Sequence, residues 1–429
     1  MYQLRLIYVF LVQLGIVSWT AAQTESQGKS SEFNQKFFGE VFAFESEIRE
    51  KERVDIYVQV PYPEINFIKE DDSYIGSFDL SVSILSSNKE QIWQRNQMVD
   101  LRVKEFSQTI SDRLSSLKQF STDLTPGSYE ILIQVTDRES KKVSTSRKSV
   151  IVRDFKNDSL SMSDLMLVYR VTSDGSRKNI VPNLSGILGR ESGSFYLFFE
   201  VYKKVPIDSV KMICKFLNSK RDIVCQYVKF ERLAENRTQV VWKIDTPMLS
   251  PDHYSLLVEL EGLTQAKLYR TSVSRSCKVM MKNLPSTIVD IDKAIDQLIY
   301  IARGGEMDVI RDAPNAEEKL KRFLDFWLKH DPDPKTSRNE LMEEYYARVA
   351  YADKNFGNYM EGWKSDRGMV LITYGPPQNV ERHPFDSDSK PYEVWYYYEQ
   401  NREFVFIDES GFGDYRLRYP TTDLWGRIR

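Results

Sequence analysis

The sequence predicts a multidomain chain in which two antiparallel β-sandwich domains precede an α+β domain, with helices packed on a small antiparallel sheet. Three observations support this fold class. The chain has 429 residues, more than one ordinary domain holds. Up to about residue 282, apolar and polar residues alternate with a period of two, as in half-buried antiparallel strands. After Leu284, apolar residues recur at helical spacing.

The first sandwich is predicted for residues 36–153. The alternation is clean in four runs that are separated by turn-like stretches. Strands of this number and spacing are typical of a sandwich. The predicted strands are Val54–Val60, Phe78–Ile84, Tyr129–Val135 and Val143–Val152.

The second sandwich is predicted for residues 160–282 and repeats this character. Residues 124–135 and 249–260 both contain a Pro turn followed by a Tyr that opens a strand, which supports a duplication. A Tyr at that place resembles the tyrosine corner of immunoglobulin-like sandwiches. The predicted strands are Leu165–Val171, Phe195–Tyr202, Val210–Phe216, Ile223–Phe230, Gln239–Ile244, Tyr254–Leu260 and Leu268–Val273.

The third segment, residues 284–429, starts with helices. Asn315 with Glu318, and Ser337 with Glu340, match the spacing of a capping box at a helix N-terminus. A short antiparallel sheet is predicted after the helices. Its predicted strands are Met369–Tyr374, Val394–Tyr398, Phe404–Ile407 and Tyr415–Tyr419.

Residues 1–22 have the layout of a secretory signal peptide: a basic Arg5, an apolar run from Leu6 to Val17, and small residues before a cleavage site. The alternative is a membrane anchor, but this run of 12 residues is shorter than the roughly 20 that span a bilayer. Residues 23–35 form a polar linker. We therefore expect an exported protein, periplasmic or extracellular, whose mature chain has no transmembrane segment.

Composition excludes several function classes. With 59 basic and 62 acidic side chains the net charge is -3, which argues against a nucleic-acid binder with a large basic surface. Only 3 His and 3 Cys are present, so little material exists for a metal site or for His-based catalysis. We predict no cofactor.

Two of the cysteines lie on neighbouring predicted strands. If the hairpin is centred between Ser219 and Lys220, Cys214 and Cys225 face each other and a cross-strand disulfide is possible. The alternative to this disulfide is that both residues are buried free thiols. Cys277 has no activating neighbour in the sequence and is interpreted as structural.

The C-terminal third of the chain is similar to the GWxTD domain, a bacterial family named after its central motif. The motif is carried by Gly362-Trp363-Lys364-Ser365-Asp366, then Arg367-Gly368 and Gly375-Pro376-Pro377. Ser365 stands where the family has Thr, so the hydroxyl is kept. The resemblance implies no established activity, but it does imply an exported protein with N-terminal β domains.

The likeness extends to both sides of the motif, and the matching residues define a possible binding surface. They are Trp327, Asp331, Gly362, Trp363, Ser365, Asp366, Arg367, Gly368, Tyr374, Gly375, Pro376, Pro377, Trp395, Tyr397, Gly413, Asp414 and Tyr415. A fainter similarity links residues 375–411 to envelope lipoproteins of the SmpA/OmlA (BamE) type. That similarity implies a helix-plus-meander shape and a partner in the cell envelope.

Two interpretations of the motif are open. In the architectural one, Trp363 anchors a junction, Ser365 and Asp366 accept bonds from backbone N–H groups, and Arg367 pairs with a carboxylate such as Asp331 or Asp333. In the other, the motif belongs to a surface that binds a peptide or a glycan.

Aromatic residues are in excess, at 13% of the chain, and they crowd the C-terminal third. Strand alternation places Trp395 and Tyr397 on one face of a strand, and Tyr396 and Tyr398 on the other. One of these faces must leave the core or meet a partner. Core packing and a sugar or peptide platform are the two explanations.

The favoured function is non-catalytic structural or protein-binding work in the bacterial cell envelope, with an envelope protein or a glycan as partner. The alternative is a hydrolase or carbohydrate-binding protein that acts on envelope polymers. Carboxylates available for such chemistry are Glu343, Glu344, Asp366, Asp408 and Asp414. The pair Asp386 and Asp388 is a weak calcium candidate, for which a solvated turn is the simpler reading.

Overall fold

A computed structural model describes residues 36–174, 177–188, 194–245, 249, 252–265, 267–280, 284–285, 287–288, 290–335, 339–357, 360–384 and 389–418. The predicted signal peptide and linker lie outside these residues. The described chain is β-rich and multidomain, with several antiparallel sheets and few helices. No helix in these ranges is long and apolar enough to cross a membrane.

Residues 36–153, called the first β unit, form two sheets. One sheet has the order β1-β2-β6; in the other, β4 pairs with β3, β5 and β7, and β7 pairs with β8. Alternate apolar side chains of β2 and β4 share one buried cluster. The elements are β1 (Phe38–Glu45), β2 (Glu52–Pro61), β3 (Ile68–Glu70), β4 (Ser73–Leu85), β5 (Gln91–Val103), α1 (Phe106–Thr109), β6 (Ser115–Leu124), β7 (Gly127–Asp137) and β8 (Val143–Val152).

Residues 160–280, the second β unit, also form two sheets around one core. The orders are β11-β10-β13-β16, with β9 beside β13, and β12-β18-β17-β14-β15. The strands are β9 (Leu160–Met162), β10 (Met166–Asp174), β11 (Arg177–Pro182), β12 (Ile187–Leu188), β13 (Ser194–Lys203), β14 (Ser209–Leu217), β15 (Ile223–Arg232), β16 (Arg237–Asp245), β17 (Asp252–Leu263) and β18 (Leu268–Val279).

Residues 284–418, the C-terminal unit, place helices and a sheet of order β19-β20-β21-β22 around one core. Short 3-10 helices cover Gln297–Tyr300, Gly362–Lys364 and Tyr398–Gln400. The other elements are α2 (Ile291–Asp296), α3 (Glu306–Arg311), α4 (Ala316–Lys329), α5 (Glu340–Phe356), α6 (Asp366–Tyr374), β19 (Asn379–His383), β20 (Tyr392–Tyr397), β21 (Arg402–Asp408) and β22 (Tyr415–Leu417).

Two local predictions for this unit need correction. The strand predicted for Met369–Tyr374 is wrong, because this run lies in α6. Residues 368–372 are all buried, so the run shows no helical alternation. Helix α5 is capped by Asn339, whose side chain accepts from the Met342 N–H at 2.9 Å. The predicted cap Ser337 lies outside the described residues.

The first and second β units meet at a buried interface. Phe42 and Phe44 of β1 pack in one cluster with Phe198 of β13. Beside this cluster, the Tyr202 hydroxyl accepts from the Glu45 N–H at 2.9 Å and donates to Glu200 at 2.8 Å. Glu200 is fully buried, and its charge is balanced by Arg237, which lies 2.7 Å away.

The first β unit also contacts the C-terminal unit. The rings of Phe106 and Tyr351 pack edge to face with centroids 5.3 Å apart. An ion pair joins Arg113 to Glu343 of α5. The Lys69 ammonium donates to the Gln378 carbonyl at 2.7 Å. The first β unit therefore contacts both the second β unit and the C-terminal unit.

A cleft of about 2600 Å³ lies between the three units. Its walls include β1 and β8 of the first unit, β18 of the second and α5 of the third. Polar and apolar side chains both line these walls. Glu40 forms ion pairs there with Lys148 at 2.6 Å and Arg275 at 3.5 Å. The cleft exists because the first unit fixes the positions of its two neighbours.

Replacement of Arg237 by Met is expected to destabilise the chain by about 3 kcal/mol, because it leaves the buried Glu200 carboxylate without its main counter-charge. Urea unfolding measures the effect. Arg270→Met is the matched control: its pair with Glu261 is exposed and should contribute about 0–1 kcal/mol. Equal effects of the two substitutions would contradict a structural role for the Glu200 pair.

Candidate functional site

The central motif is anchored to helix α5 through its backbone. A Cβ atom on Gly362 would lie 1.9 Å from the Ala352 carbonyl oxygen, so only glycine fits there. The Trp363 N–H donates to the Asp353 carboxylate at 3.0 Å. These two contacts fix the start of the motif against the last turns of α5.

Trp363 is buried and packs edge to face on Tyr300, with ring centroids 6.2 Å apart. The Tyr300 hydroxyl donates to the Trp363 carbonyl at 2.9 Å. The Lys364 ammonium lies over the indole, 5.0 Å from its centroid. The indole N–H is buried and has no hydrogen-bond partner among the described residues. Trp363 therefore works as an apolar anchor in this fold.

Ser365 joins the motif to helix α6. Its hydroxyl donates to the Gly362 carbonyl at 2.7 Å and accepts from the Gly368 N–H at 3.0 Å, which caps the helix. Gly368 must lack a side chain, because a Cβ atom would lie 2.1 Å from the Gly362 carbonyl oxygen. The hydroxyl that Ser shares with Thr is the group that this geometry uses.

Asp366 and Arg367 connect α6 to the sheet. The Asp366 carboxylate accepts from the Leu417 N–H of β22 at 2.8 Å. The Arg367 guanidinium lies between two rings, 4.8 Å from the Phe356 centroid and 4.2 Å from that of Tyr415. It also donates to the Gly413 carbonyl at 3.3 Å.

The carboxylate next to Arg367 is Glu393, at 3.6 Å. The predicted partners Asp331 and Asp333 are wrong. The Glu393 side chain is buried and also accepts from the Trp395 indole N–H at 3.1 Å. Glu393 was not among the residues predicted from the sequence. Its position two residues before Trp395 was the available signal, because strand alternation places both on the buried face.

The turn after β21 is organised by Asp408. This buried carboxylate accepts from the N–H groups of Gly411 at 2.9 Å and Gly413 at 2.6 Å, and from the Ser410 hydroxyl at 3.0 Å. Burial by itself would raise the pKa of Asp408, but these donors outweigh it and hold the pKa below its ordinary value of 3.8. One carboxylate oxygen of the neighbouring Asp414 lies 3.0 Å from Nε and 2.9 Å from Nη2 of Arg416.

The segment after α6 is fixed by aromatic residues. Gly375 has a left-handed backbone with φ of 82°, and its carbonyl accepts from the Tyr397 hydroxyl at 2.8 Å. The Tyr374 ring packs on Tyr397 and Phe404 at 5.9 and 5.2 Å. The next two residues, Pro376 and Pro377, are partly exposed and connect α6 to β19.

The C-terminal part of the chain matches a known domain family. Residues 265–417 match the GWxTD domain. The chain contains a GWxTD domain. The matched range covers a little over a third of the chain and begins just before β18 of the second β unit. No curated protein matches the chain in sequence.

Solved structures show only low similarity. A β-glucuronidase from Bacteroides uniformis has 12% identity and a TM-score of 0.19, with 33% of this chain and 14% of that chain covered. Red sea bream transglutaminase has 7% identity and a TM-score of 0.17, with 58% of this chain and 32% of that chain covered. A Parabacteroides merdae β-glucuronidase has 9% identity and a TM-score of 0.20, with 57% of this chain and 30% of that chain covered. The chain thus spans less than a third of these proteins, and scores this low support no argument.

Two candidates upstream of the motif have local roles in the GWxTD domain. Trp327 is fully buried against Tyr345 and Tyr346, at 5.5 and 5.6 Å between centroids, and its carbonyl accepts from the Asn339 side chain. Asp331 accepts from the Asp333 N–H at 3.0 Å. Both groups shape the connection from α4 to α5.

The two faces of β20 differ as alternation predicts. Trp395 and Tyr397 are buried, whereas Tyr398, just after the strand, is 63% exposed. Tyr396 stacks on Tyr398 with an interplanar angle of 10° and 5.7 Å between centroids. The Tyr396 hydroxyl donates to Glu381 at 3.1 Å. This Tyr396/Tyr398 pair, in which Tyr396 is half-buried and Tyr398 is exposed, forms an aromatic platform at the surface of the GWxTD domain.

The cysteine hairpin differs from the prediction. Cys214 pairs with Tyr227, and Cys225 pairs with Phe216, so the two thiols do not face each other. The turn contains Arg221 in a left-handed conformation, which moves its centre one residue further along the chain. All three cysteines are free in this structure. Burial raises the pKa of Cys277 to about 12, and raises that of Cys214 as well.

The carboxylates named for sugar hydrolysis are held in separate interactions. Glu343 pairs with Arg113, Glu344 with Arg348, and Asp414 with Arg416. Asp366 and Asp408 accept from backbone N–H groups. Within the described ranges, no group of three or more His, Cys, Asp or Glu residues is placed to hold a metal ion. Asp386 and Asp388 lie outside those ranges.

Gly362→Ala is expected to destabilise the GWxTD domain by at least about 3 kcal/mol, because the new methyl group overlaps the Ala352 carbonyl and the backbone must move. Thermal unfolding followed by Trp fluorescence measures this. Gly127→Ala is the control, with its nearest atoms at 3.8 Å and an expected change under about 1 kcal/mol. A harmless Gly362→Ala would refute the proposed contact.

Asp408→Asn is expected to lower the free energy of unfolding by about 2 kcal/mol at neutral pH, because a charged acceptor of several hydrogen bonds is lost. The pKa of Asp408 is lowered by folding, so its stabilisation is complete above the unfolded pKa and disappears as pH falls through the folded pKa. The difference from the natural chain should therefore shrink below about pH 4.

Urea unfolding at several pH values tests this, with Asp414→Asn as the exposed control. A difference for Asp408→Asn that stays constant down to acid pH would contradict the role of the Asp408 carboxylate.

Proposed function

We propose that this chain is an exported, non-catalytic structural or protein-binding protein of the bacterial cell envelope. Export rests on the signal-peptide layout of residues 1–22. The envelope location rests on that layout and on the faint likeness of residues 375–411 to envelope assembly domains of the SmpA/OmlA (BamE) type.

One observation carries the non-catalytic part of the proposal: the polar groups of the motif are bound within the chain. Ser365 caps α6, Asp366 accepts from β22, and Arg367 lies between two rings beside Glu393. Groups held in this way join a helix to a sheet. A catalytic acid, base or nucleophile has to reach a substrate instead.

For the fold we propose two immunoglobulin-like sandwiches followed by an α+β domain. In each β unit, two sheets share one apolar core. The Tyr129 hydroxyl donates to the Thr125 carbonyl at 2.8 Å, and this bond supports the proposal because it resembles that of a tyrosine corner. In the C-terminal unit, β19 to β22 pair in chain order as a meander and share their core with the helices.

The cleft between the three units is the proposed binding surface. Strand β8 lies at the edge of its sheet, and Ser144, Ser146 and Lys148 face the cleft from it. Edge strands present unpaired backbone groups that bind extended peptide segments. An envelope protein with an extended segment is therefore the partner that suits this surface.

The alternative function is carbohydrate binding or hydrolysis, and the Tyr396/Tyr398 pair supports it. Sugar rings bind on flat aromatic surfaces, and a platform with Tyr398 at 63% exposure offers one. Hydrolysis would in addition need two carboxylates at a suitable separation in a cleft.

The test uses a photo-cross-linking phenylalanine analogue at Ser146, inside the cleft, in the full chain expressed in its own bacterium. We expect an adduct with one envelope protein, because the side chain at this position points into the cleft. Mass spectrometry of the adduct identifies the partner. The matched control is the analogue at Gln97 on β5, the opposite edge of the same sheet, where we expect no such adduct.

Two results would contradict the proposal. The absence of any protein adduct at Ser146, with the chain present in the envelope fraction, would refute protein binding in the cleft. Binding or turnover of purified envelope glycan by the mature protein, lost in Tyr398→Ala, would establish the alternative instead.

A further inference from the structure

Strand β8 meets the cleft between the three units with its edge. Among the residues that the structure describes, β8 pairs with β7 alone. Residues 146–151 line the cleft in an unbroken run. The side chains of a strand alternate between two faces, so an unbroken run of lining residues means that the edge of the strand faces the cleft.

The hydrogen-bond pattern identifies the backbone groups that are free at this edge. In the hairpin between β7 and β8, the Asp137 N–H donates to the Lys142 carbonyl at 3.0 Å. Hydrogen-bonded pairs then recur at every second position of the antiparallel register. The N–H and C=O groups that point away from β7 therefore belong to the residues between those pairs. They are Val143, Thr145, Arg147, Ser149 and Ile151.

The charge of this edge has one sign. Residues 140–153 contain five basic residues and no acidic one. The basic residues are Lys141, Lys142, Arg147, Lys148 and Arg153. Strand β18, on the wall that the second β unit contributes, also carries basic residues and no acidic one. Two strands in the walls of one cleft thus have positive side chains without negative ones.

The neighbouring carboxylates do not balance this charge. Glu40 lies between two bases, 2.6 Å from Lys148 and 3.5 Å from Arg275. Glu130 is shared in the same way, by Arg147 at 3.3 Å and by the lysine of the β4–β5 turn at 2.6 Å. Four cations thus meet two carboxylates among the described residues, and a net positive charge remains along the edge.

We propose that the extended segment bound at β8 is acidic: its backbone pairs with the free edge of β8, and its carboxylates lie beside Arg147 and Lys148. This inference rests on the proposed function, in which a segment of an envelope protein binds in the cleft. It adds the class of sequence that the cleft selects.

Positive charge on an edge strand acts against unselective pairing. Lysine and arginine at a free edge repel segments of like charge, including β8 of a second copy of this chain. An acidic segment meets no such repulsion, and each cross-strand pair of opposite charge contributes roughly 0.2–1 kcal/mol. In this mode of binding the backbone bonds supply affinity, and the side chains supply the choice of partner.

Fluorescence anisotropy of the mature chain with synthetic peptides tests the charge requirement. The probe is a labelled peptide of about nine residues in which Thr and Glu alternate, and the comparison peptide has Lys in place of Glu. We expect the acidic peptide to bind at least about tenfold more tightly than the basic one.

A charge reversal in the chain tests the same requirement from the other side. Arg147→Glu should weaken binding of the acidic peptide at least about tenfold, because like charges then face each other. The matched control is Arg95→Glu on β5, the opposite edge of the same sheet, which changes the net charge equally and should leave binding unchanged. Circular dichroism checks that each variant is folded.

Methylation of the peptide backbone separates strand pairing from simple charge attraction. Methyl groups on alternate peptide nitrogens remove the donors at one edge of the peptide strand and leave its charge unchanged. Of the two alternating patterns, one should abolish binding and the other should preserve it, because only one edge of the peptide faces β8.

Several results would overturn the inference. Equal binding of the two peptides, or no binding of the acidic one, would remove the charge requirement. Binding that survives both methylation patterns would exclude strand pairing. Binding of polygalacturonate, an acidic glycan, without binding of the acidic peptide would assign the edge to a polysaccharide. A cross-link from Ser146 to an envelope protein segment with no surplus of acidic residues would leave the proposed function standing and refute this inference alone.

Discussion

The C-terminal unit depends on a backbone contact that no side chain permits. Gly362 lies against the Ala352 carbonyl, with no room for a Cβ atom, so the chain leaving α5 turns back onto that helix. The turn places Trp363 in the core and Ser365 at the start of α6. A larger residue at the first position would displace each of these groups, because they follow along one short stretch of backbone.

The residues that follow this turn contact different elements of the unit. Ser365 caps α6, and Asp366 accepts from the backbone of β22. Arg367 lies between the rings of Phe356 and Tyr415, beside the buried Glu393. A buried cation of this kind stays favourable because rings, a carbonyl and a carboxylate together replace its water. The motif thus joins a helix pair to a sheet.

Much of the fold could be predicted from the sequence, and the failures have physical causes. Alternation revealed strands with one buried face, such as β2 and β4. It missed β5, because an edge strand exposed to solvent needs no apolar face. It misassigned α6, where burial on all sides removes the helical period. Glu393, the carboxylate beside Arg367, was missed because pairing between distant residues depends on tertiary structure.

The placement of both interfaces on the first β unit has a consequence for biogenesis. A chain is synthesised from its N-terminus, so this unit is the first to be complete. Its contacts close long loops, 157 residues from Glu45 to Tyr202 and 230 from Arg113 to Glu343. Closing such a loop costs conformational entropy, and this cost rises only slowly as the loop becomes longer. We therefore expect each later unit to pack on the first β unit in the order of synthesis.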